Sequence, residues 1–305
     1  MTLEGYAAAT EFNQPIIDDF RANDGKVSGM FEGAALALLT TVGARTGLPR
    51  TSPVGWVEVD GDQVAVASAG GGPVNPSWYH NIVANPWLTV EVDTDKYQAL
   101  AEIPHGSARE ELWQKVIAVA PGYADYQKQT SREIPLVIIK PQEGPNGARL
   151  RGIGAELQEV HDWLRKEMAE LRDQVDDYLA GRTSAIRTPQ SPEDPATALR
   201  THCMTFCQAL NVHHTGEDDH AFPVLQQRFP ALTPILDDLR AEHVVVARIN
   251  KQIEALVTDV DSWDGETLRA ELDRLTTELE THLKYEEETL SAALNAMGPA
   301  PQRRP

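Results

Sequence analysis

Short hydrophobic runs bounded by turn residues occur throughout the first half of the chain, a pattern typical of β-strands. These runs are rich in Val, Ile and Leu, and turn residues such as Asp60-Gly61-Asp62 separate them. Strands are predicted over 35–42, 52–59, 64–67, 88–92, 99–103 and 134–139. The connections are too short for repeated crossover helices, so the pattern favours a small, mainly antiparallel barrel.

Two helices are predicted among these strands. Asn75-Pro76 has the composition of a cap followed by a first-turn proline, which predicts a helix over 77–85. Ser107 and Glu110 have the spacing of a capping box, which predicts that another helix begins at Ser107.

The apolar period becomes that of amphipathic helices after residue 154. Four long helices are predicted over 155–180, 195–228, 232–258 and 265–297, with breaks at 188–195, 229–230 and 261–265. Short connections between long helices favour antiparallel neighbours, as in an up-down four-helix bundle. Residues 141–154 contain two prolines and four glycines without apolar periodicity, which is typical of a linker.

The predicted fold class is α+β, and the 305 residues are enough for two domains. A split β-barrel domain is expected over 1–140, a linker over 141–154 and an all-α bundle over 155–298. The 46 acidic and 27 basic residues give a net charge of −19, which disfavours nucleic acid and anionic lipid as partners. No apolar run reaches the ~18 residues of a membrane span and no secretion signal is evident, so a cytoplasmic protein is expected.

Histidines concentrate in the second half of the chain, which holds seven of the nine. His213 and Glu217 are four residues apart on the predicted second helix, and His282 and Glu286 have the same spacing on the fourth. Residues at i and i+4 share a helix face, so each pair can present an imidazole nitrogen and a carboxylate to one metal ion. The first and third helices contribute two more candidates at compatible levels of the bundle, His161 and His243.

Neighbouring residues leave the helical register of these ligands open. A shift by one residue would exchange His213 for His214, or Glu286 for Glu287. His202 lies about 16 Å before His213 along the helix and is expected in the core or beside a ligand. Cys203 and Cys207 are too few for a disulfide framework; they are expected in the core, with a redox role for the thiol pair as the alternative.

This arrangement resembles the hemerythrin-like, or HHE cation-binding, family over nearly all of 155–297. The resemblance implies a non-haem di-iron centre inside the bundle. It assigns terminal ligands to His161, His213, His243 and His282 and bridging carboxylates to Glu217 and Glu286. Respiratory hemerythrins carry additional histidines on the third helix, whereas Ala247, one turn after His243, has no ligand atom, so oxygen transport is not expected.

Glycine-rich turns in the first half suit an anionic ligand. Residues 43–50 combine two glycines with Thr46 and two arginines, and such turns bring backbone N–H groups and guanidinium groups to an anion. Residues 67–72 include three consecutive glycines and lead into the helix that carries Trp78 and Tyr79. A later segment, 123–135, contains two tyrosines and Arg132.

Together these three segments resemble the deazaflavin-dependent nitroreductase family, a group of split β-barrel oxidoreductases, over about 30–140. The resemblance implies 5-deazaflavin coenzyme F-420 as cofactor, with hydride transfer from its reduced form to a quinone-like or nitro acceptor. It assigns cofactor contacts to Arg45, Thr46, Gly47, Arg50, Ser68, Gly70, Gly71, Trp78 and Asn81, and the substrate pocket to Tyr123, Tyr126 and Arg132. Ala69 stands where many relatives have a lysine.

The leading hypothesis is therefore an oxidoreductase with a deazaflavin-dependent barrel and a di-iron bundle. Its expected partners are a small-molecule electron acceptor, dioxygen at the iron pair and a second copy of the chain in a homodimer. One alternative is an iron- or oxygen-responsive binding protein whose barrel has lost catalysis. Another is a pair of independent activities joined only by the linker.

Overall fold

A computed structural model describes residues 3–143, 149–180 and 195–299 of the protein. The chain forms two compact units, one of Met1–Ala155 with Leu290–Pro305 and the other of Glu156–Thr289. Residues 144–148 of the predicted linker and most of the predicted break at 188–195 lie outside the described residues. Among the described residues, no helix is both long and apolar enough to cross a membrane.

The first unit contains a closed barrel of six antiparallel strands. The strands are β1 (Leu36–Val42), β2 (Pro49–Val59), β3 (Asp62–Val66), β4 (Trp87–Val92), β5 (Asp95–Glu102) and β6 (Leu136–Pro141). Around the barrel they follow the order β1-β2-β3-β6-β5-β4. All six predicted strands are present, and alternating side chains such as Leu39, Val90 and Ala99 fill the barrel interior.

Tight hairpin turns account for the closely spaced strands. Asp60 and Gly61 join β2 to β3 with φ values of 53° and 82°, the left-handed conformation that a two-residue hairpin turn requires.

The direction of the strands determines at which end of the barrel each loop lies. Since β1 and β3 are both antiparallel to β2, their carboxyl ends lie at the same end of the barrel. This end, where β6 also begins, is called the open end below.

Four helices belong to the barrel unit: α1 (Leu3–Ala22), α2 (Ser77–Ala84), α3 (Gly106–Val119) and α4 (Gly122–Gln129). The predicted capping box is wrong, because α3 begins at Gly106 and His105 occupies the cap position. Asn75 does not cap α2; its side chain accepts a hydrogen bond from Arg132 instead. Neither α1 nor α4 is predicted by the sequence pattern, since both depend on packing against the barrel.

The second unit consists of four long antiparallel helices and one short helix, which confirms the predicted bundle. They are α5 (Ile153–Leu179), α6 (Pro195–Gly216), the short α7 (Phe222–Arg228), α8 (Thr233–Thr258) and α9 (Gly265–Asn295), of which residues 153–155 and 290–295 belong to the first unit. A π-helical turn, Glu217–Ala221, connects α6 to α7 within the predicted second helix. Ion pairs of Arg165 with Glu280 and of Arg172 with Asp273 show that α5 and α9 run antiparallel. Leucines such as Leu164, Leu210 and Leu275 form the core.

Asn295 ties the end of the chain to the barrel within the first unit. Its side-chain oxygen accepts a hydrogen bond from the Gly154 N–H at 2.8 Å, and its side-chain nitrogen donates to the Thr89 hydroxyl at 3.0 Å. Gln98 donates to the Asn295 carbonyl at 2.8 Å. A Cβ atom at Gly152 would lie 2.1 Å from the Asn295 side-chain oxygen, so only glycine permits this approach.

We predict that Asn295→Ala lowers the free energy of unfolding by about 1–3 kcal/mol, because it leaves the Gly154 N–H without its acceptor. Urea denaturation followed by tryptophan fluorescence measures the change. Gln114→Ala is the control, since the Gln114 side chain makes an exposed bond to Glu110. Equal stability of the two variants would contradict a stabilising role for the Asn295 side chain.

Candidate functional site

Seven imidazole and carboxylate side chains converge inside the second unit. They come from every long helix of the bundle and from the π-helical turn: His161, His213, His214, Glu217, His243, His282 and Glu286. Two groups can be distinguished, and in each group the potential ligand atoms lie within 4.8 Å of one another. We call them the first metal position (His161, His213, Glu217 and Glu286) and the second metal position (His214, His243, His282 and Glu286).

The structure resolves the register that the sequence left open. Successive residues of an α-helix are rotated by about 100°, so Glu217 lies between His213 and His214 around the helix axis. Both histidines therefore enter the cluster, one in each group. On α9, Glu286 is fully buried within the cluster, and Glu287, one residue further around the helix, lies outside it.

Two carboxylates lie between the metal positions. Glu217 places one oxygen 3.5 Å from His213 Nε2 and the other 3.8 Å from His243 Nε2. Glu286 places its oxygens 3.4 Å from His161 Nε2 and 3.8 Å from His243 Nε2. Each carboxylate thus reaches one histidine from each group, which is the placement that a ligand shared by two metal ions requires.

Several of these atoms are buried without any hydrogen-bond partner. They are Nε2 of His214, His243 and His282, Oε2 of Glu217 and both carboxylate oxygens of Glu286. An unpartnered buried polar group costs about 1–3 kcal/mol, and more when it is charged. Metal ions between these atoms would satisfy all of them, and imidazole nitrogen with carboxylate oxygen is a donor set that suits iron, zinc or manganese. The residues present therefore fit a metal centre.

Burial also prepares the imidazoles to bind metal. It lowers the pKa of His213 to about 4 and that of His214 to about 2, so both rings are neutral at pH 7. The two carboxyl groups differ: burial and the neighbouring Glu286 raise the pKa of Glu217. Burial disfavours ionisation of Glu286 too, but the neighbouring imidazoles of His161, His243 and His282 outweigh it and lower the pKa of Glu286. A neutral imidazole and an ionised carboxylate are the forms that bind a cation.

Three outer carboxylates orient the histidines. Glu287 lies 2.8 Å from His161 Nδ1, Asp218 lies 2.9 Å from His243 Nδ1, and Glu242 lies 2.8 Å from His282 Nδ1. A carboxylate on Nδ1 fixes the ring and directs Nε2 into the cluster. Sequence reasoning missed Asp218 and Glu242 in this role, although each directly follows or precedes a predicted ligand in the chain.

The open end of the barrel holds the first glycine turn, between β1 and β2. Gly47 adopts a φ of 71°, and Arg50 donates to the Thr46 hydroxyl at 3.4 Å. Arg45 is exposed at the tip of the turn. Asn81, predicted beside the cofactor ring, is buried beneath the turn, where its side chain accepts from the Ala44 N–H at 3.0 Å.

The second glycine turn leaves β3 at the same end. Ala69, Gly70 and Gly71 all have positive φ, at 48°, 61° and 80°, directly after a right-handed Ser68. A right-handed residue followed by left-handed ones curves the backbone into a concave surface that suits anions. A Cβ at Gly70 would face open space, whereas one at Gly71 would lie 3.0 Å from Gln129.

Arg132 holds this second turn in place. Its guanidinium donates to the carbonyls of Ala67, Ser68 and Gly72 and to the Asn75 side chain, at 2.6 to 3.1 Å. Arg132 is predicted to border the substrate pocket. In the structure its guanidinium N–H groups form hydrogen bonds to the second glycine turn and stabilise its conformation.

The predicted aromatic residues divide between the surface and the core. Tyr123 packs its hydroxyl against Gly55 of β2, and the Tyr126 ring lies 6.2 Å from it, edge to face. Burial raises the pKa of Tyr123, so its hydroxyl keeps its proton at pH 7. Trp78 is 7% exposed and belongs to the barrel core.

Comparison with known proteins assigns a family model to each half of the chain. Residues 16–141 match F420H(2)-dependent quinone reductase, and residues 153–294 match the hemerythrin HHE cation binding domain. An F420H(2)-dependent quinone reductase of Mycobacterium tuberculosis is 38% identical over 125 residues, covering 39% of this chain and 83% of the relative.

Two solved structures are also similar to the barrel half. One, described as an F420-H2 dependent reductase, is 38% identical, covers 35% of this chain and 94% of its own, and gives a TM-score of 0.32. The other, described as a domain-swapped dimer, is 34% identical. Its match covers 45% of this chain and 98% of its own and gives a TM-score of 0.34. The sequence matches confirm both resemblances: the chain belongs to the F420H(2)-dependent quinone reductase family and carries a hemerythrin HHE domain over residues 153–294.

Proposed function

We propose that the barrel binds coenzyme F-420 at its open end and catalyses hydride transfer to a quinone-like or nitro acceptor. The observation that carries the proposal is the meeting of two anion-compatible glycine turns at one end of the barrel. The 38% identity to an F420H(2)-dependent quinone reductase of Mycobacterium tuberculosis supports the proposal. The reduced deazaflavin supplies the hydride, so the protein needs no nucleophile of its own.

The chain's own residues bind and orient the reactants. Arg45 and Arg50 provide guanidinium groups for a phosphate, and the backbone of Ser68–Gly71 provides a concave surface for the anionic tail. Asn81 and Arg132 fix the two turns from beneath. Pre-positioned turns lose less conformational entropy when the cofactor binds.

Tyr123 and Tyr126 are proposed to border the acceptor. They project from α4, which also contacts the second glycine turn through Gln129. Their flat rings suit a planar acceptor such as a quinone, and they exclude water from it.

We propose that the bundle binds a pair of non-haem iron ions between Glu217 and Glu286. The six unpartnered buried atoms support this proposal, because two cations would satisfy them together. Bound iron supplies redox chemistry, with dioxygen as the proposed partner. Burial in the bundle keeps the His213 and His214 rings neutral, and the outer carboxylates orient His161, His243 and His282.

One observation favours a binding protein with an inactive barrel instead. Ala69, exposed on the second turn at a φ of 48°, offers the cofactor tail no ammonium group. Such a protein would bind iron but not coenzyme F-420.

We predict that the protein binds reduced and oxidised coenzyme F-420 and that Arg50→Ala weakens binding about 10- to 100-fold, through loss of charge-assisted hydrogen bonds. Fluorescence titration measures the dissociation constant. Arg149→Ala is the control, because Arg149 pairs with Asp95 elsewhere on the barrel. Binding of flavin mononucleotide but not F-420 would exclude the proposed reaction.

Gly55→Ala tests whether Tyr123 borders the acceptor. The added Cβ would lie 2.2 Å from the Tyr123 hydroxyl oxygen but 3.5 Å from the next ring atom. We expect the single variant to raise the KM for a quinone several-fold without changing F-420 affinity. Gly55→Ala with Tyr123→Phe relieves the collision and is expected to restore the KM of Tyr123→Phe alone. An unchanged KM in Gly55→Ala would place the acceptor elsewhere.

We predict about two iron ions per chain after anaerobic loading, and a near-ultraviolet oxo-bridge absorption after exposure to air. His213→Ala and His282→Ala are each expected to reduce the iron content, because each removes a ligand from a different metal position. His220→Ala is the control, since His220 is exposed and lies outside both metal positions. Less than one iron per chain in the unmodified protein would rule out the di-iron centre.

A further inference from the structure

The third long helix supplies only one imidazole to the cluster. Ala247, one helical turn after His243 on α8, is exposed and carries no ligand atom. Even so, the second metal position contains three histidines and the first contains two. The additional imidazole comes from α6, at His214.

The two matching motifs differ at the residue that follows the first histidine. His213 is followed by His214 and His282 by Leu283, at the same rotation about their helices. Leu283 is fully buried in the hydrophobic core, as is expected for a residue at this angle. A leucine at position 214 would fill the core equally well, so the histidine needs another explanation.

The surroundings of His214 are those of a ligand. His214 is only 6% exposed. Its ring centroid lies 4.4 Å from that of His243 and 5.0 Å from that of His282. Its Nε2 atom is buried without a hydrogen-bond partner, as are the Nε2 atoms of the other two histidines. A purely structural imidazole would leave that atom unsatisfied, at a cost of about 1–3 kcal/mol.

We infer that His214 is a ligand of the second metal ion and takes the place of a second histidine on the third helix. This inference rests on the proposed metal centre. Helix α6 then serves both metal ions, one through His213 and the other through His214, with Glu217 between them. The second ion has five protein ligand residues and the first has four, if both carboxylates are shared. The two positions therefore differ in their number of protein ligands.

Metal titration of the full-length protein tests this inference without relying on activity. The metal is removed with a chelator, Fe²⁺ is added back without oxygen, and bound iron per chain is measured. We expect about two ions for the unmodified protein and about one tightly bound ion for His214→Ala, with affinity for the other reduced at least about tenfold. His220→Ala, which removes an exposed histidine six residues later, is expected to retain both.

Rescue by imidazole separates a ligand from a packing residue. His214→Gly leaves a space the size of the lost ring, so added imidazole is expected to restore the second equivalent of iron. Co²⁺ absorption, recorded on parallel samples loaded with Co²⁺ in place of iron, should regain the intensity of the unmodified protein. Circular dichroism checks that the variants keep their helices.

The outcomes distinguish this inference from the proposed function. If the unmodified protein binds no metal pair, the proposed di-iron centre fails. If it binds two ions and folded His214→Ala also binds two with equal affinity, only the assignment of His214 fails. Iron lost from a folded variant and not restored by imidazole likewise contradicts the assignment.

Discussion

The bundle buries charged and polar side-chain atoms without hydrogen-bond partners, and two bound cations would satisfy them. Two carboxylates and five imidazoles lie in a hydrophobic core of leucines, valines and isoleucines. Removing one member of such a set leaves the others buried and unpaired, which is usually more destabilising than the loss of a surface interaction. The arrangement of the helices brings all seven groups together, so any metal ion bound there would be thermodynamically linked to folding.

Local features of the bundle follow from this constraint. The π-helical turn Glu217–Ala221 falls directly after His213 and His214, and it presents Glu217 inward while Asp218 reaches His243. Irregular turns of this kind are frequent at functional sites because they redirect side chains without ending the helix. Phe222, the first residue of α7, stacks on His243 at 5.4 Å and completes the apolar wall around the ring.

Periodicity and spacing predicted the strands, the bundle helices and six of the seven clustered side chains. His213 and Glu217 could be paired because i, i+4 residues share a helix face. The simultaneous entry of His214 could not be predicted, since it depends on how far the cluster extends around α6. The partners Glu242 and Asp218 depend on contacts between helices, which no local pattern encodes.

The barrel shows a similar division between local pattern and tertiary contact. Both glycine turns are visible in the sequence, because positive φ angles favour glycine. The buttressing by Asn81 and Arg132 is not visible, since Asn81 bonds a turn 37 residues earlier and Arg132 one about 60 residues earlier. Sequence resemblance placed these two residues at a ligand, and the structure shows that each forms hydrogen bonds to a glycine turn.

Anomalous diffraction at the iron absorption edge, from crystals of iron-loaded protein, would show whether the bundle holds a metal pair. We expect two iron peaks per chain, about 3.5–4 Å apart, between Glu217 and Glu286, with His161 and His213 bound to one iron and His214, His243 and His282 bound to the other. A single peak, or no peak among these seven side chains, would contradict this expectation.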